Sequence, residues 1–291
     1  MTREIGFVVA PEDDGRLVKR LARGKLGLSH RQFTSLKRKD ALLLDGVPVH
    51  ADAVARAGQR LSVRLEEDEV GDAPASNGPV KVVYEDEDIL ILDKDAPLAC
   101  MSGLDRPGDS LEGRLTGRYG PGYVFRPVNR LDKGTSGLMA VAKHAHAQQL
   151  MQRALHTEDY LREYAALAVG TVLPPAGVID APIGKAEGAT VRREVRPDGK
   201  RAVTRYETIA SGGGRTLLRV RLETGRTHQI RVHLAYSGWP IAGDFLYGTE
   251  DPRLPGRFAL HSARLALTHP ITGARLVFDS PPPDVFYEMM K

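Results

Sequence analysis

Cysteine occurs once in these 291 residues, as Cys100. An internal disulfide is therefore excluded, and so is a zinc cluster built on thiolates. No apolar run is long enough to span a bilayer. The start, Met1-Thr2-Arg3-Glu4-Ile5, carries no apolar leader, so a cytoplasmic location and no membrane partner are expected. There is no glycine-rich dinucleotide fingerprint and no phosphate loop. Gly212-Gly213-Gly214 lacks the lysine and helix start such a loop needs, and reads as a turn. Metal-ligand patterns are missing too. Glu85-Asp86-Glu87-Asp88 reads as a solvated hairpin turn, because adjacent carboxylates cannot converge on one ion without further ligands. His144 and His146 are two apart, do not share a helix face, and read as surface residues. No metal and no cofactor are expected. A metal-dependent nuclease, which needs several converging carboxylates, finds no support.

What is present is an ordinary globular balance, 42% hydrophobic and 27% charged, in a chain long enough for one large and one small domain. The net charge of +4 is modest but unevenly spread. Between Gly15 and Leu65 about a dozen cations, Arg16, Arg20, Arg31, Lys37 and Arg38 among them, are opposed only by Asp40, Asp45 and Asp52. Leu17, Val18 and Leu21 recur at helical spacing, and Ser29 is placed to cap a second helix over His30–Lys39. Leu42 to Val49, with its Asp45-Gly46 turn, reads as a hairpin, followed by a strand over Leu61–Leu65. Two basic helices on a small sheet suit phosphate neutralisation without base readout. Residues 1–66 are thus expected to form a small basic domain suited to a phosphate-rich partner. Residues 67–79 are acidic and rich in Gly and Pro, and read as a flexible linker; 80–291 form the second domain.

That second domain opens with a hairpin, Val80–Tyr84 and Ile89–Lys94. The stretch Phe125 to Lys143 then holds Asn129-Arg130-Leu131-Asp132-Lys133-Gly134 ahead of a buried strand from Leu138 to Ala142. Asp132 is thereby displayed on a loop between core elements with Arg130 and Lys133 beside it. Such a carboxylate can serve as nucleophile or base. A helix over His144–His156 and a strand over Leu161–Gly170 carrying Tyr164 come next, then a loop over Gly177–Arg201 that reads as covering the site. A hairpin, Ala202–Ala210 with Arg215–Leu222, leads to Glu223–Leu234, where Thr227 can cap a helix. Arg231 is embedded among Ile230, Val232 and Leu234, and a buried arginine needs an acidic partner; Asp132 is the natural candidate. Gly238–Gly248 reads as structural, and segments around His261 and His269 close the sheet.

The run Arg130-Leu131-Asp132-Lys133-Gly134-Thr135-Ser136-Gly137-Leu138 closely resembles the signature of the RluA family of pseudouridine synthases. Gly225-Arg226-Thr227-His228-Gln229-Ile230-Arg231 resembles a second motif of that family, and Arg162-Glu163-Tyr164 a third. The N-terminal segment resembles the alpha-L RNA-binding module of a ribosomal protein. The resemblance implies an α+β pseudouridine synthase fold: a mixed, mostly antiparallel sheet flanked by helices and loops, plus a small basic α+β domain. It implies uridine-to-pseudouridine isomerisation, most often in large-subunit ribosomal RNA and in other members transfer RNA, by a monomer without cofactor. Asp132 falls on the catalytic aspartate, Tyr164 on the active-site tyrosine, Arg231 on the aspartate's partner and Leu260 on the active-site aliphatic residue. Arg130 would fill the space an extruded base leaves; Arg226 and His228 would contact phosphate or shape the pocket. Three positions depart from the pattern: Cys100-Met101-Ser102 replaces a segment with histidine, Asn129 replaces a histidine, and Gly134 replaces an acid. A rival class, a non-catalytic RNA-binding or ribosome-assembly factor, would predict damage at Asp132, Tyr164 or Arg231, and all three are intact.

Overall fold

The computed structural model describes residues 2–67, 69–103 and 109–291; Met1, named above, and one residue of the 67–79 segment, Asp68, lie outside them. Near the N-terminus, β1 (Thr2–Val8), β2 (Leu42–Leu44), β3 (Val47–Pro48) and β4 (Arg60–Glu66) make a four-stranded antiparallel sheet in the order β1-β4-β2-β3. Helices α1 (Val18–Lys25) and α2 (His30–Arg38) pack on it through Val18, Leu21, Ala22, Phe33 and Leu36. Ser29 caps α2 in a full capping box: its hydroxyl accepts from the Gln32 amide, and the Gln32 side chain accepts from the Ser29 amide. Asp45 and Gly46 both have positive φ, 51° and 79°, as the two-residue hairpin turn requires. Strand β1 was not foreseen. Only Ile5 of its seven residues is buried, so as an edge strand it has little alternating pattern to announce it.

The remaining strands are β5 (Val82–Glu85), β6 (Ile89–Lys94), β7 (Arg126–Pro127), β8 (Ser136–Ala142), β9 (Tyr160–Val169), β10 (Ala176–Asp180), β11 (Ile183–Lys185), β12 (Arg193–Val195), β13 (Val203–Gly212), β14 (Arg215–Leu222), β15 (Leu260–Thr268) and β16 (Arg275–Asp279). The helices are α3 (Leu111–Tyr119), α4 (Ala145–Ala154), α5 (Gln229–Tyr236) and α6 (Asp284–Glu288). Ten strands form one sheet along the path β10-β13-β14-β9-β15-β8-β6-β5, with β16 on β15 and β7 on β8; β11 and β12 pair separately. Every pairing is antiparallel except β8 with β15, so the sheet is mixed and mostly antiparallel, as expected. β8 is buried at all seven positions, which explains its unbroken apolar run. Gly137 sits where β8 meets β15: at φ 103°, a β-carbon there would lie 2.4 Å from the Ser262 carbonyl oxygen. The parallel pair therefore admits only glycine at this point. It brings the loop before β8, the start of β15 and the middle of β9 to one region.

Several expectations need correction. The Gly177–Arg201 stretch contains β10, β11 and β12 rather than a plain loop. The acidic segment after β4 is irregular but anchored, not a free linker. Glu67 accepts the Ala145 amide at the start of α4 and pairs with the buried Arg126, which also meets Glu69. Gly71 donates to the Gly122 carbonyl, and Ser76 donates its amide to Gly113 and its hydroxyl to Asp109. The Glu85–Asp88 turn is not simply solvated. Asp88 is buried and accepts from Arg3 Nε at 2.8 Å, with His144 Nε2 at 3.0 Å. Burial raises the Asp88 carboxyl, but His144 and Arg3 outweigh it and hold it well below the carboxylate range. Asp86, Asp88 and His269 approach one another closely enough for a metal, yet the cation offsetting them is the Arg3 guanidinium. His144 and His146 are both buried, against the surface reading, because α4 starts at this junction.

The same junction docks the N-terminal unit. Arg3 reaches from β1 to the β5–β6 turn, Gln149 and Arg153 of α4 donate to the Gly27 carbonyl, and Ile271 packs against the small core. Among the described residues, no helix is long and apolar enough to cross a membrane.

His146 gives this junction a pH signature. Neither ring nitrogen meets hydrogen-bond geometry with a described residue. Burial lowers the imidazole to about 4, with His144 adding to it and the Leu26 backbone offsetting part. A histidine depressed when folded binds its proton more readily when unfolded, so stability is full above about pH 6.5 and falls as pH drops toward about 4. The loss is at most about 3 kcal/mol. Urea unfolding at pH 7 and pH 5 should reveal it, and His146→Leu should flatten the difference.

Candidate active site

Asp132 stands on the loop between β7 and β8, its side chain 27% exposed. The loop is tied down on two sides. Cys100 Sγ donates to the Leu131 carbonyl at 3.2 Å, and the Leu98 amide donates to the Lys133 carbonyl at 3.0 Å. Lys94, at the end of β6, is buried, and its ammonium donates to the carbonyls of Asp95 and Leu98, both at 2.8 Å, and of Lys133 at 3.4 Å. Burial pulls this lysine down to about 8. A buried cation held by carbonyls, with no carboxylate bonded to it, gives a fixed end to the segment that presents Asp132.

Arg231 meets Asp132 from α5, across 99 positions of sequence. Its Nη1 donates to Asp132 Oδ2 at 3.0 Å. The rest of the guanidinium belongs to Asp244: Nε to Oδ2 at 2.7 Å and Nη2 to Oδ1 at 2.8 Å, a two-pronged pair with both side chains buried. Burial works against the charge of Arg231, but Asp244 and Asp132 together raise its pKa further. The planar group also lies over the rings of Phe258 at 4.1 Å and Tyr247 at 5.0 Å. Asp244 in turn accepts the amides of Leu246 and Tyr247. Asp132 Oδ1 has no protein partner among the described residues.

A cavity of about 70 Å³ opens at this carboxylate. Asp132, Tyr164, Leu260, Arg130, Arg226 and His228 all line it, with Leu222 and Ile230 supplying further apolar wall. Tyr164 projects from β9, where it pairs with Ser262 of β15, two residues along from Leu260 opposite Ala166. Burial raises the Tyr164 phenol, nearby Asp132 adding to the effect and Arg162 opposing it, so it stays protonated at neutral pH. Arg130 is exposed, and its one recorded contact is Nη1 to Met101 Sδ at 3.7 Å. The free volume is that of two or three water molecules. Among the side chains that line it, Arg130 is the one least held.

Five expected RNA-binding cations lie away from this cavity. Arg20 and Lys37 flank a groove of about 700 Å³ between α1 and α2, while Arg31 and Arg38 are exposed on α2. Arg16 is exposed and pairs with the buried Asp13. Thr227 does not cap α5: the position before the helix is His228, at φ 59° and with no side-chain cap bond. The turn is closed instead by Gln229, whose Oε1 accepts from the Arg226 amide and the Thr224 hydroxyl. The sequence reading passed over Asp244, Tyr247, Phe258 and Lys94. The usable signal was the arginine itself, since a guanidinium has five donors and Asp132 takes one.

Residues 88–236 match the family model described as RNA pseudouridylate synthase. An uncharacterized RNA pseudouridine synthase of Bacillus subtilis is 35% identical over 92% of this chain and 96% of its own. The ribosomal large subunit pseudouridine synthase D of Vibrio cholerae is 37% identical over 88% of this chain and 86% of its own. Among solved structures, human RNA pseudouridylate synthase domain containing 1 superposes with a TM-score of 0.60 at 25% identity, covering 75% of this chain and 90% of the human one. With the signature loop, the buried arginine and this breadth of similarity together, the chain belongs to the RNA pseudouridylate synthase family and is an RNA-modifying isomerase.

Proposed function

We propose that the chain converts uridine to pseudouridine in large-subunit ribosomal RNA, acting as a cytoplasmic monomer, with Asp132 as the catalytic carboxylate. Residues 1–66 serve as the RNA-binding module and 80–291 as the catalytic unit. The observation that carries this reading is the Asp132–Arg231–Asp244 chain. One guanidinium is locked by a buried carboxylate and offers a single remaining N–H to a second carboxylate, whose other oxygen faces a cavity. The ribosomal target is supported by the similarity to the Vibrio cholerae ribosomal large subunit pseudouridine synthase D.

The reaction breaks the bond from the sugar to N1 of uracil and makes one to C5; the C5 proton leaves and N1 gains one. Atoms and electrons balance with no redox partner. Asp132 acts on the nucleoside through Oδ1, the oxygen that Arg231 leaves free. Tyr164, kept protonated, packs against the base. Arg130 swings into the stack as the uridine leaves it, which removes the side chain narrowing the cavity and offsets part of the few kcal/mol of unstacking.

Four outcomes test this. Asp132→Asn should abolish pseudouridine formation, a loss of at least about 1,000-fold, with RNA affinity within about 2-fold of wild type. Pseudouridine mapping of ribosomal and transfer RNA from a deletion strain, rescued with wild type or this variant, identifies the target. Marks missing only from transfer RNA would replace the ribosomal assignment. Asp244→Asn should cost about 3–5 kcal/mol of stability by breaking a buried pair, and lower kcat while Asp132 itself is untouched. Replacing Arg20, Arg31, Lys37 and Arg38 together by alanine should weaken RNA binding and flatten its salt dependence by about 3 in log–log slope, leaving turnover of saturating RNA near wild type.

A further inference from the structure

We propose that His228 contacts the substrate, its Nε2–H donating to a uracil carbonyl oxygen, and that Tyr247 is the positioning residue that fixes this tautomer. The proposal rests on the cavity being a uridine site.

His228 adopts a backbone conformation that side-chain-bearing residues avoid. Its φ is 59° at the position before α5, and it does none of the capping that usually occupies this place. The strain presents the ring to the cavity that holds Asp132. On the other side of the ring, Nδ1 lies 2.8 Å from the Tyr247 hydroxyl oxygen, with the two rings edge to face at 77°. That same oxygen already accepts the backbone N–H of Arg193, from β12, at 2.9 Å. With one lone pair of that oxygen taken by Arg193, its own hydrogen is free to go to Nδ1, and Nδ1 is assigned as the acceptor, with the ring's N–H on Nε2. Nε2 has no hydrogen bond to any described residue. Burial lowers the histidine below its ordinary value, against the pull of Asp132, so the ring is neutral at physiological pH.

The wall around this donor decides what it meets. Leu222, Ile230, Leu260 and the ring of Tyr164 make much of the wall apolar; Asp132 is the one acid lining it, beside the exposed cations Arg130 and Arg226. A phosphate beside that carboxylate would be repelled, and phosphates have Arg226 and Arg130 at the rim. A uracil carbonyl is neutral, accepts a single N–H, and carries added charge as the glycosidic bond breaks. Tyr247 is also tied to the catalytic pair: its amide donates to Asp244, and its ring lies against Arg231. One frame therefore aims two groups, Asp132 through Arg231 and His228 through Tyr247.

Substitution at His228 separates donor placement from backbone strain. Gln places an amide N–H near the Nε2 position, whereas Asn places one near Nδ1; yet Asn tolerates positive φ better than Gln. Donor placement predicts His228→Gln above His228→Asn in kcat, and strain predicts the reverse order. The expected result is a loss of about 5-fold for Gln and about 100-fold for Asn and Ala, in kcat with KM little changed. Tyr247→Phe should lower kcat about 10-fold in wild type and not further in the Gln variant. Long-range proton–nitrogen correlation on histidine-labelled protein, with the His228→Ala spectrum assigning the signal, should find the Nε2–H tautomer in wild type and a mixture in Tyr247→Phe. Asn equal to or above Gln, losses confined to KM and steepened by salt, or an Nδ1–H tautomer would each overturn the proposal. A wild type that forms no pseudouridine on any ribosomal or transfer RNA would instead sink the uridine reading, and the substrate half of this proposal with it.

Discussion

A single guanidinium shared between two carboxylates governs this molecule. Arg231 gives two of its N–H groups to Asp244, which is fully buried, and one to Asp132, which is not. The buried half fixes the plane of the guanidinium; the exposed half transmits that plane to the carboxylate at the cavity. Removing Asp244 would leave a buried cation whose other partner is half in water, the arrangement in which such pairs are costly. Three aromatic rings around the guanidinium, Phe245, Tyr247 and Phe258, keep it from rotating toward solvent. The rigidity needed for chemistry is thus built behind the cavity, where water does not compete.

The sheet explains why these groups can meet. Its one parallel pairing, β8 with β15, brings together a loop, a strand start and a neighbouring strand at the same level. Asp132, Leu260 and Tyr164 are those three contributions. The loop carrying Asp132 gains its fixed geometry from backbone carbonyls held by Lys94 and Cys100 rather than from regular structure. The N-terminal unit is pinned by Arg3 and α4, and the acidic segment runs along the larger unit in bonded contact. A docked module keeps its basic groove at a set distance from the cavity, a constraint a loose tether would not impose.

Motifs were the legible part. Short runs with chemistry in them, around Asp132, Tyr164 and Arg226 to Arg231, point to residues that the fold does gather around one cavity. The periodic elements were legible for the same reason: β6 and β8 are buried on both faces, and α2 announces its cap at Ser29. What misled was polarity. Glu85 to Asp88 looked like solvent because acids usually are, and His144 and His146 looked exposed because two-residue spacing rules out a shared helix face. In the fold, His144 precedes α4 and reaches Asp88, which has Arg3 from another unit as its counter-ion. Nothing local records a partner 85 positions away. Asp244 and Tyr247 were passed over because they lie in a glycine-rich segment whose chemistry is invisible until Arg231 arrives.

The amino-acid order by itself determined the reaction class, pointed to Asp132, Tyr164 and Arg231, which the fold gathers at one place, and showed a basic N-terminal unit. Each of these is written in contiguous residues whose identity is the signal. Tertiary structure alone decided that Arg231 divides itself between two acids, that the acidic segment is bonded down, and that the ring of His228 faces the cavity with Tyr247 behind it. Those facts depend on distances between groups far apart in the chain. A hydrogen bond needs its partners within about 3 Å, and only the folded sheet brings them that close.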